Sequence, residues 1–393
     1  MEKCWWKGSW TPHITALHTL PPGSTPAPLV PPSYPTTALL TGGFRGYKGK
    51  GDRTSSVETF LGSCQVSDPG VNQDMQTTFQ AAAIQPDLPQ GQNNPSTFVA
   101  ADNPTSTPHI SITPGGSTVH VANLPKARYG HVTFLTADTK PIVVTCGGDL
   151  RRSTRSCLTL HGGRWAEGVV RDLPGARRYG SAVTLPGHGV YLVGGRDGDS
   201  RYTSDFLEVN STVWRAGPTL PVSMYQPCTA ALSASFLAIY GKDIREFDPS
   251  SGWRSPSTWP SLLTSRTWQP GCTVVGSTVI IAGGTSTPNP TTEMLNIQTR
   301  TIRYGPNMVK PRALFHLLTV QPGDRAIALG GLRYFDGTLY RPNEVEELIE
   351  GTWRVIGRLD LERSSFGGLA VPTSLLCGEG EEGPGGLPGS VGR

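Results

Sequence analysis

Along this chain, short apolar runs of five or six β-prone residues recur, each closed by a pair of glycines. They read TTALLTGG, ending at Gly43, then PIVVTCGG (Gly148), GVYLVGG (Gly195), STVIIAGG (Gly284) and RAIALGG (Gly331). A further copy, SFLAIYG, ends at Gly241 with Tyr240 in place of the first glycine. The second glycines lie 105, 47, 46, 43 and 47 residues apart, so only the first interval breaks the period. Little polar alternation within each run predicts a strand buried on both faces. The glycine pair then marks a bend or a close backbone approach.

Two further markers keep step with the doublets. Upstream of the inner runs stand Tyr129, Tyr179, Tyr225, Trp268 and Phe315, with Phe366 following the last doublet. Downstream stand Trp165, Trp214, Trp253 and Trp353, with Ile302 at the corresponding place in TIRYGP. Between doublet and tryptophan lie a polar loop and a charged strand, such as SDFLEVN or REFDPS. The unit is therefore four short strands repeated at about 47 residues, the pattern of a β-propeller blade. Asn343–Glu350 (NEVEELIE) has helical propensity, but its place in the repeat predicts a strand, since tertiary context overrides local preference.

These residues resemble the Kelch-repeat family, which is marked by a glycine doublet after a hydrophobic strand, a spaced aromatic and a tryptophan. The resemblance runs from about Thr36 to Val371, apart from one insertion. It departs from the family pattern at Tyr240, at Ile302 and in the lack of a tryptophan after Gly43. The fold expected is an all-β, six-bladed propeller of four-stranded blades, closed by a C-terminal inner strand. The reason is phase: the chain begins on a doublet strand at Thr36 and ends on an aromatic strand near Phe366, so the two complete one shared blade. Residues 36–377 form the propeller. A disordered Trp/Pro-rich tail (1–35), a polar insertion at about 69–121 and a disordered Gly-rich tail (378–393) complete the expected organisation.

Composition changes this picture little. Glycine (48) and proline (35) are abundant, yet they concentrate in doublets, turns, tails and insertion. A net charge of +4 with 16% charged residues is too mild to argue for nucleic acid. No apolar run reaches the roughly 18 residues of a membrane span.

The distribution of charge is more telling. Strands alternate in direction, so the loops after the doublets open on the same face as the connections between blades. Those loops carry Arg45, Lys48, Arg151, Arg152, Arg155, Arg196, Arg201, Arg333 and Arg341, with Tyr334 among them. Converging cations and tyrosines suit an acidic partner. The expected function is a non-enzymatic protein-interaction scaffold, a monomer that uses this face to bind a protein, with an acidic partner favoured. The alternative is a carbohydrate- or small-anion-binding propeller related to galactose-oxidase-like proteins. No catalytic residue, metal site or cofactor is expected: His131 and His316 are the histidines on inner strands, and neither has an assignable tyrosine or cysteine partner. Nucleic-acid and membrane partners are not expected.

Seven cysteines bear on compartment. Cys146 and Cys157 flank one post-doublet hairpin, while Cys228 and Cys272 sit in near-equivalent register on consecutive inner strands. Cytoplasmic residence is the default for free buried thiols. Pairing of both couples, behind an incomplete N-terminus, points instead to the extracellular route. Asn210-Ser211-Thr212 is the lone glycosylation sequon.

Overall fold

The computed structural model describes residues 36–45, 52–53, 56–60, 121–149, 152–197, 203–254, 258–285, 290–321, 325–335 and 338–376. The tails expected at 1–35 and 378–393, and the insertion expected at 69–121 apart from Val121, lie outside these residues.

Six antiparallel blades form a β-propeller. Blade 2 runs through Val132–Leu135, Val143–Cys146, Cys157–His161 and Arg164–Ala166, in order from the inner to the outer strand. Blade 3 follows with Ser181–Leu185, Gly189–Val193, Ser204–Glu208 and Trp214–Ala216. Blade 4 uses Cys228–Ala231, Phe236–Tyr240, Asp243–Asp248 and Gly252–Trp253. Blade 5 is Gly271–Val275, Thr278–Ala282, Thr292–Asn296 and Ile302–Tyr304. Blade 6 is His316–Val320, Arg325–Leu329, Glu344–Ile349 and Thr352–Arg358, so the helix-prone segment is indeed a strand. Blade 1 is composite: the C-terminal strand Gly367–Pro372 pairs antiparallel with Thr36–Thr41, which pairs with Val57–Phe60. The inner strands neighbour one another in sequence around the ring, and Gly367–Pro372 touches the inner strands of both blade 6 and blade 2.

The unbroken hydrophobicity of the doublet strands has a direct cause. Each blade is sandwiched between two others, and alternate side chains of one strand feed different cores. Val190 and Leu192 pack toward Val144 and Phe134 of blade 2, while Tyr191 and Val193 pack toward Phe236 and Ala238 of blade 4. Val279 and Ile281 face blade 4, whereas Ile280 and Ala282 face blade 6. Six such cores lie one between each neighbouring pair. Each buried Val, Leu or Ile contributes roughly 1.5–3 kcal/mol of transfer free energy. Outer-strand tryptophans cap these cores: Trp214 packs on Phe134 at 5.7 Å, and Trp353 donates its indole N–H to Thr292.

The doublet is the joint between blades. The N–H of the second glycine donates to a carbonyl at the entrance of the next blade: Gly43 to Arg128, Gly148 to Arg177, Gly195 to Met224, Gly241 to Arg266, Gly284 to Arg312 and Gly331 to Arg363. All six bonds measure 2.7–3.0 Å. The first glycine adopts φ of +57 to +72°, and a Cβ there would stand 2.2–2.7 Å from the same carbonyl oxygen. Only glycine fits.

These bonds define the true repeat register. The aromatic markers do not share one position: Tyr129 and Tyr225 stand one residue after the bonded carbonyl, Tyr179 and Trp268 two, Phe315 and Phe366 three. What recurs instead is arginine. Arg128, Arg177, Arg266, Arg312 and Arg363 are all at most 3% exposed, and each donates to the first-glycine carbonyl of its own blade. In four blades the guanidinium also meets a third-strand carboxylate, in the pairs Arg177–Asp205, Arg266–Glu293, Arg312–Glu346 and Arg363–Glu58. In blade 2 the carboxylate position is Leu158, opposite Thr145, and among the described residues Arg128 bonds the Gly147 and Ser156 carbonyls and the Ser156 hydroxyl. Blade 4 lacks the clamp altogether: Met224 replaces the arginine, Arg245 holds the acid position opposite Ala238, and Tyr240 replaces the first glycine. There the chain turns directly from Tyr240 into Asp243, so no long loop needs pinning.

Candidate functional site

The six glycine joints bring the end of each doublet strand beside the connection into the next blade, all on one face of the ring. Some of the doublet loops are built on short ribbons. Phe44–Arg45 pairs with Asp52–Arg53, Arg333–Phe335 pairs with Thr338–Tyr340, and Arg196–Asp197 pairs with Arg177–Arg178.

At the mouth, blades 2 to 4 contribute an aromatic crescent. Tyr129 meets Tyr179 edge-on at 6.1 Å, and Tyr179 meets Tyr225 edge-on at 5.5 Å. Tyr179 sits at φ +59°, and Gly130 lies against its ring, where a Cβ would come within 3.0 Å. The Arg178 guanidinium lies 5.8 Å from the Tyr179 ring centre and binds Asp149 at 2.9 Å. Asp149 also accepts the Tyr129 hydroxyl at 3.2 Å. Burial, aided by the neighbouring tyrosines, raises the Tyr179 pKa and keeps its hydroxyl protonated. Trp268, at the corresponding position of blade 5, is 38% exposed.

The cations read from sequence divide into distinct environments. Arg152 is exposed, and Arg155 is exposed with a loose contact to Asp172 at 3.8 Å. Arg196 is partly buried in its ribbon. Arg333 stacks on Tyr340 at 4.5 Å. Arg341 is 3% exposed, with its Nε donating to Ser364, so its charge serves the joint between blades 6 and 1 rather than the open surface. Burial accordingly lowers its pKa. Arg45 and Tyr334 are placed by backbone alone, while Lys48, Arg151 and Arg201 lie outside the described residues. Of the acids in these loops, Asp149 pairs with Arg178, Asp205 with Arg177 and Asp243 with Arg245 at 3.1 Å. Sequence reasoning did not pick out Arg178 or the Tyr129–Tyr179–Tyr225 contact as site features. The KARYGH and ARRYGS strings were the available signal, since each sets an arginine beside the marker tyrosine.

His131 and His316 flank the closing strand. His131 Nε2 accepts the Gly367 N–H at 3.1 Å, and His316 Nε2 lies 2.9 Å from the Phe366 carbonyl, to which it donates. Burial holds both rings neutral, lowering His131 well below its ordinary range and His316 to about 4. Among the described residues, no group of three or more His, Cys, Asp or Glu side chains is arranged to hold a metal ion.

The fold and this face define a six-bladed β-propeller. No protein-family model matches the chain, and no curated protein matches it.

Proposed function

We propose that this chain is a Kelch-type propeller acting as a non-enzymatic interaction scaffold, and that its loop face binds an acidic protein segment. One observation carries the reading: the exposed Arg152, Arg155 and Lys242 stand on the same loop face as the Tyr129–Tyr179–Tyr225 contacts, where Asp149 and Asp243 are ion-paired. Arginine and lysine supply charge-assisted hydrogen bonds to carboxylates, and aromatic edges supply apolar contact at low entropic cost. In blades 1, 3, 5 and 6 an arginine ties this face together, bonding both the glycine carbonyl and a third-strand carboxylate.

The test is an acidic-peptide library screened beside a glycan array, with the full-length chain and an R152E/R155E/K242E variant. These residues are exposed, so the variant should melt like the parent. The expected result is peptide binding that weakens with salt and falls at least about tenfold in the variant. Undiminished peptide binding by the variant at low salt overturns the reading. Binding to glycans alone supports the carbohydrate-binding alternative.

A further inference from the structure

On the face opposite the loops, the hairpin joining the third and outer strands of blade 3 carries Asn210-Ser211-Thr212. The chain's other Asn-X-Ser/Thr triplets, at Asn94, Asn103 and Asn289, have proline in the middle and cannot present an acceptor. Asn210 and Thr212 are both exposed. Asn210 occupies φ +58°, a left-handed conformation that asparagine tolerates better than most residues.

The backbone around it is anchored from all sides. Ser211 N–H closes the turn onto Glu208, Val209 N–H reaches the His188 carbonyl, and Asn210 N–H reaches Asp138 of blade 2. Neither the Asn210 carboxamide nor the Thr212 hydroxyl has a hydrogen-bond partner among the described residues. The acceptor nitrogen therefore projects into solvent from a fixed turn, and a bulky hydrophilic chain attached there displaces nothing.

A second, independent feature sets the compartment. Cys146–Cys157 ties adjacent strands within blade 2, and Cys228–Cys272 ties the inner strands of blades 4 and 5. Two structural disulfides in one ring belong to an oxidising environment.

We propose that Asn210 carries an N-linked glycan, added as the chain passes through an oxidising secretory compartment. In the transfer, Asn210 Nδ2 bonds to C1 of an oligosaccharide donated from a polyprenyl-pyrophosphate carrier. The C1–oxygen bond to the pyrophosphate breaks, the lipid pyrophosphate leaves, and the amide proton passes to a base of the transferase. Thr212 supplies the hydroxyl that the transferase recognises. The glycan then covers the face opposite the loops and leaves the channel mouth open.

The experiment is expression of the full-length chain behind a cleavable secretion leader in an animal-cell host, examining lysate and medium alike. Peptide N-glycosidase in heavy-oxygen water should lower the mass by one glycan and leave labelled aspartate at position 210. N210D, which keeps a residue tolerant of the left-handed turn, and T212A should each abolish the shift, while S211A should retain it. Cys146, Cys157, Cys228 and Cys272 should resist alkylation until reduced. An unmodified Asn210 peptide in the disulfide-bonded wild-type protein overturns the proposal. So does a glycan shift that survives in N210D.

Discussion

Arg266 and Glu293 are both fully buried, and an ordinary buried ion pair of this kind can be exchanged for apolar residues at little cost or even with gain. Here the opposite is expected. Besides its contact with Glu293 at 2.9 Å, Arg266 donates to the carbonyls of Gly283 and Thr291. Glu293 in turn accepts the backbone N–H groups of Leu263 at 2.8 Å and Thr264 at 3.0 Å. The double variant R266M/E293L removes both charges but strands these four backbone groups. The Gly283 carbonyl is buried and the other three groups are half-buried, so at about 1–3 kcal/mol for a fully buried unsatisfied group the loss is about 2–4 kcal/mol. That is a large share of the roughly 5–15 kcal/mol that holds a folded domain. The single variant R266M additionally leaves the Glu293 charge alone in the interior, where breaking one side of a buried pair costs about 3–5 kcal/mol. E293Q keeps one acceptor oxygen for the two N–H groups that Glu293 serves with separate oxygens, so it loses one of these bonds but should still be the mildest of the three. Urea unfolding followed by tryptophan fluorescence, with midpoint shifts converted through the common slope, reads all three. A double variant within about 1 kcal/mol of wild type would refute the idea that the pair exists to satisfy backbone.

Truncation after Leu361 removes Arg363, Phe366 and the inner strand of blade 1, and should unfold the ring cooperatively rather than shed one blade; calorimetry of the truncated chain melting like the parent would sink this. Stability should fall as pH drops from about 6.5 toward 4, because burial depresses the folded-state pKa of His316 to about 4 and that of His131 in the same direction. The neutral rings stabilise the fold above the unfolded value, and this contribution is lost on acidification, with His316 worth on the order of 3 kcal/mol at most. H316Q should flatten the slope in denaturant titrations across that window. Leu158→Glu places a carboxylate where the other clamps have one, facing an Arg128 whose pKa burial lowers to about 10. It should change stability by less than about 1.5 kcal/mol, while Leu160→Glu in the same strand, inside an apolar core, should cost several kcal/mol. Equal losses from the two would rule out a vacant carboxylate position.

The blade count, the closing strand and the strand at Asn343–Glu350 were legible in the sequence, because each follows from period or register; register offers both cysteine couples only as an alternative to free buried thiols, and the structure bonds both. Strands that feed two cores carry an unalternated apolar signal, and glycines that admit a neighbouring carbonyl cannot vary silently. The clamps were not legible. A buried Arg266 reads like any surface cation, and its carboxylate partner lies 27 residues away on a strand whose register only the fold supplies. Aromatic residues mislead for a related reason: Tyr179 and Phe315 serve different positions, one at the channel mouth and one in the core between blades 5 and 6. Blade 4 reads as a decayed copy. In three dimensions Met224, Tyr240 and Arg245 form one consistent exchange, made where the loop shortens to a tight turn.

The shared first blade also imposes a schedule on synthesis. Thr41 and its neighbour Gly367 are 326 residues apart, so the edge of Thr36–Thr41 lacks its partner until nearly the whole chain has emerged. At a translation rate of about 5–20 residues per second, that interval is roughly 16–65 s. During this time Ala38, Leu39 and Leu40 have no inner strand to cover them. A nascent chain of this protein therefore carries one unpaired apolar edge until its two ends meet.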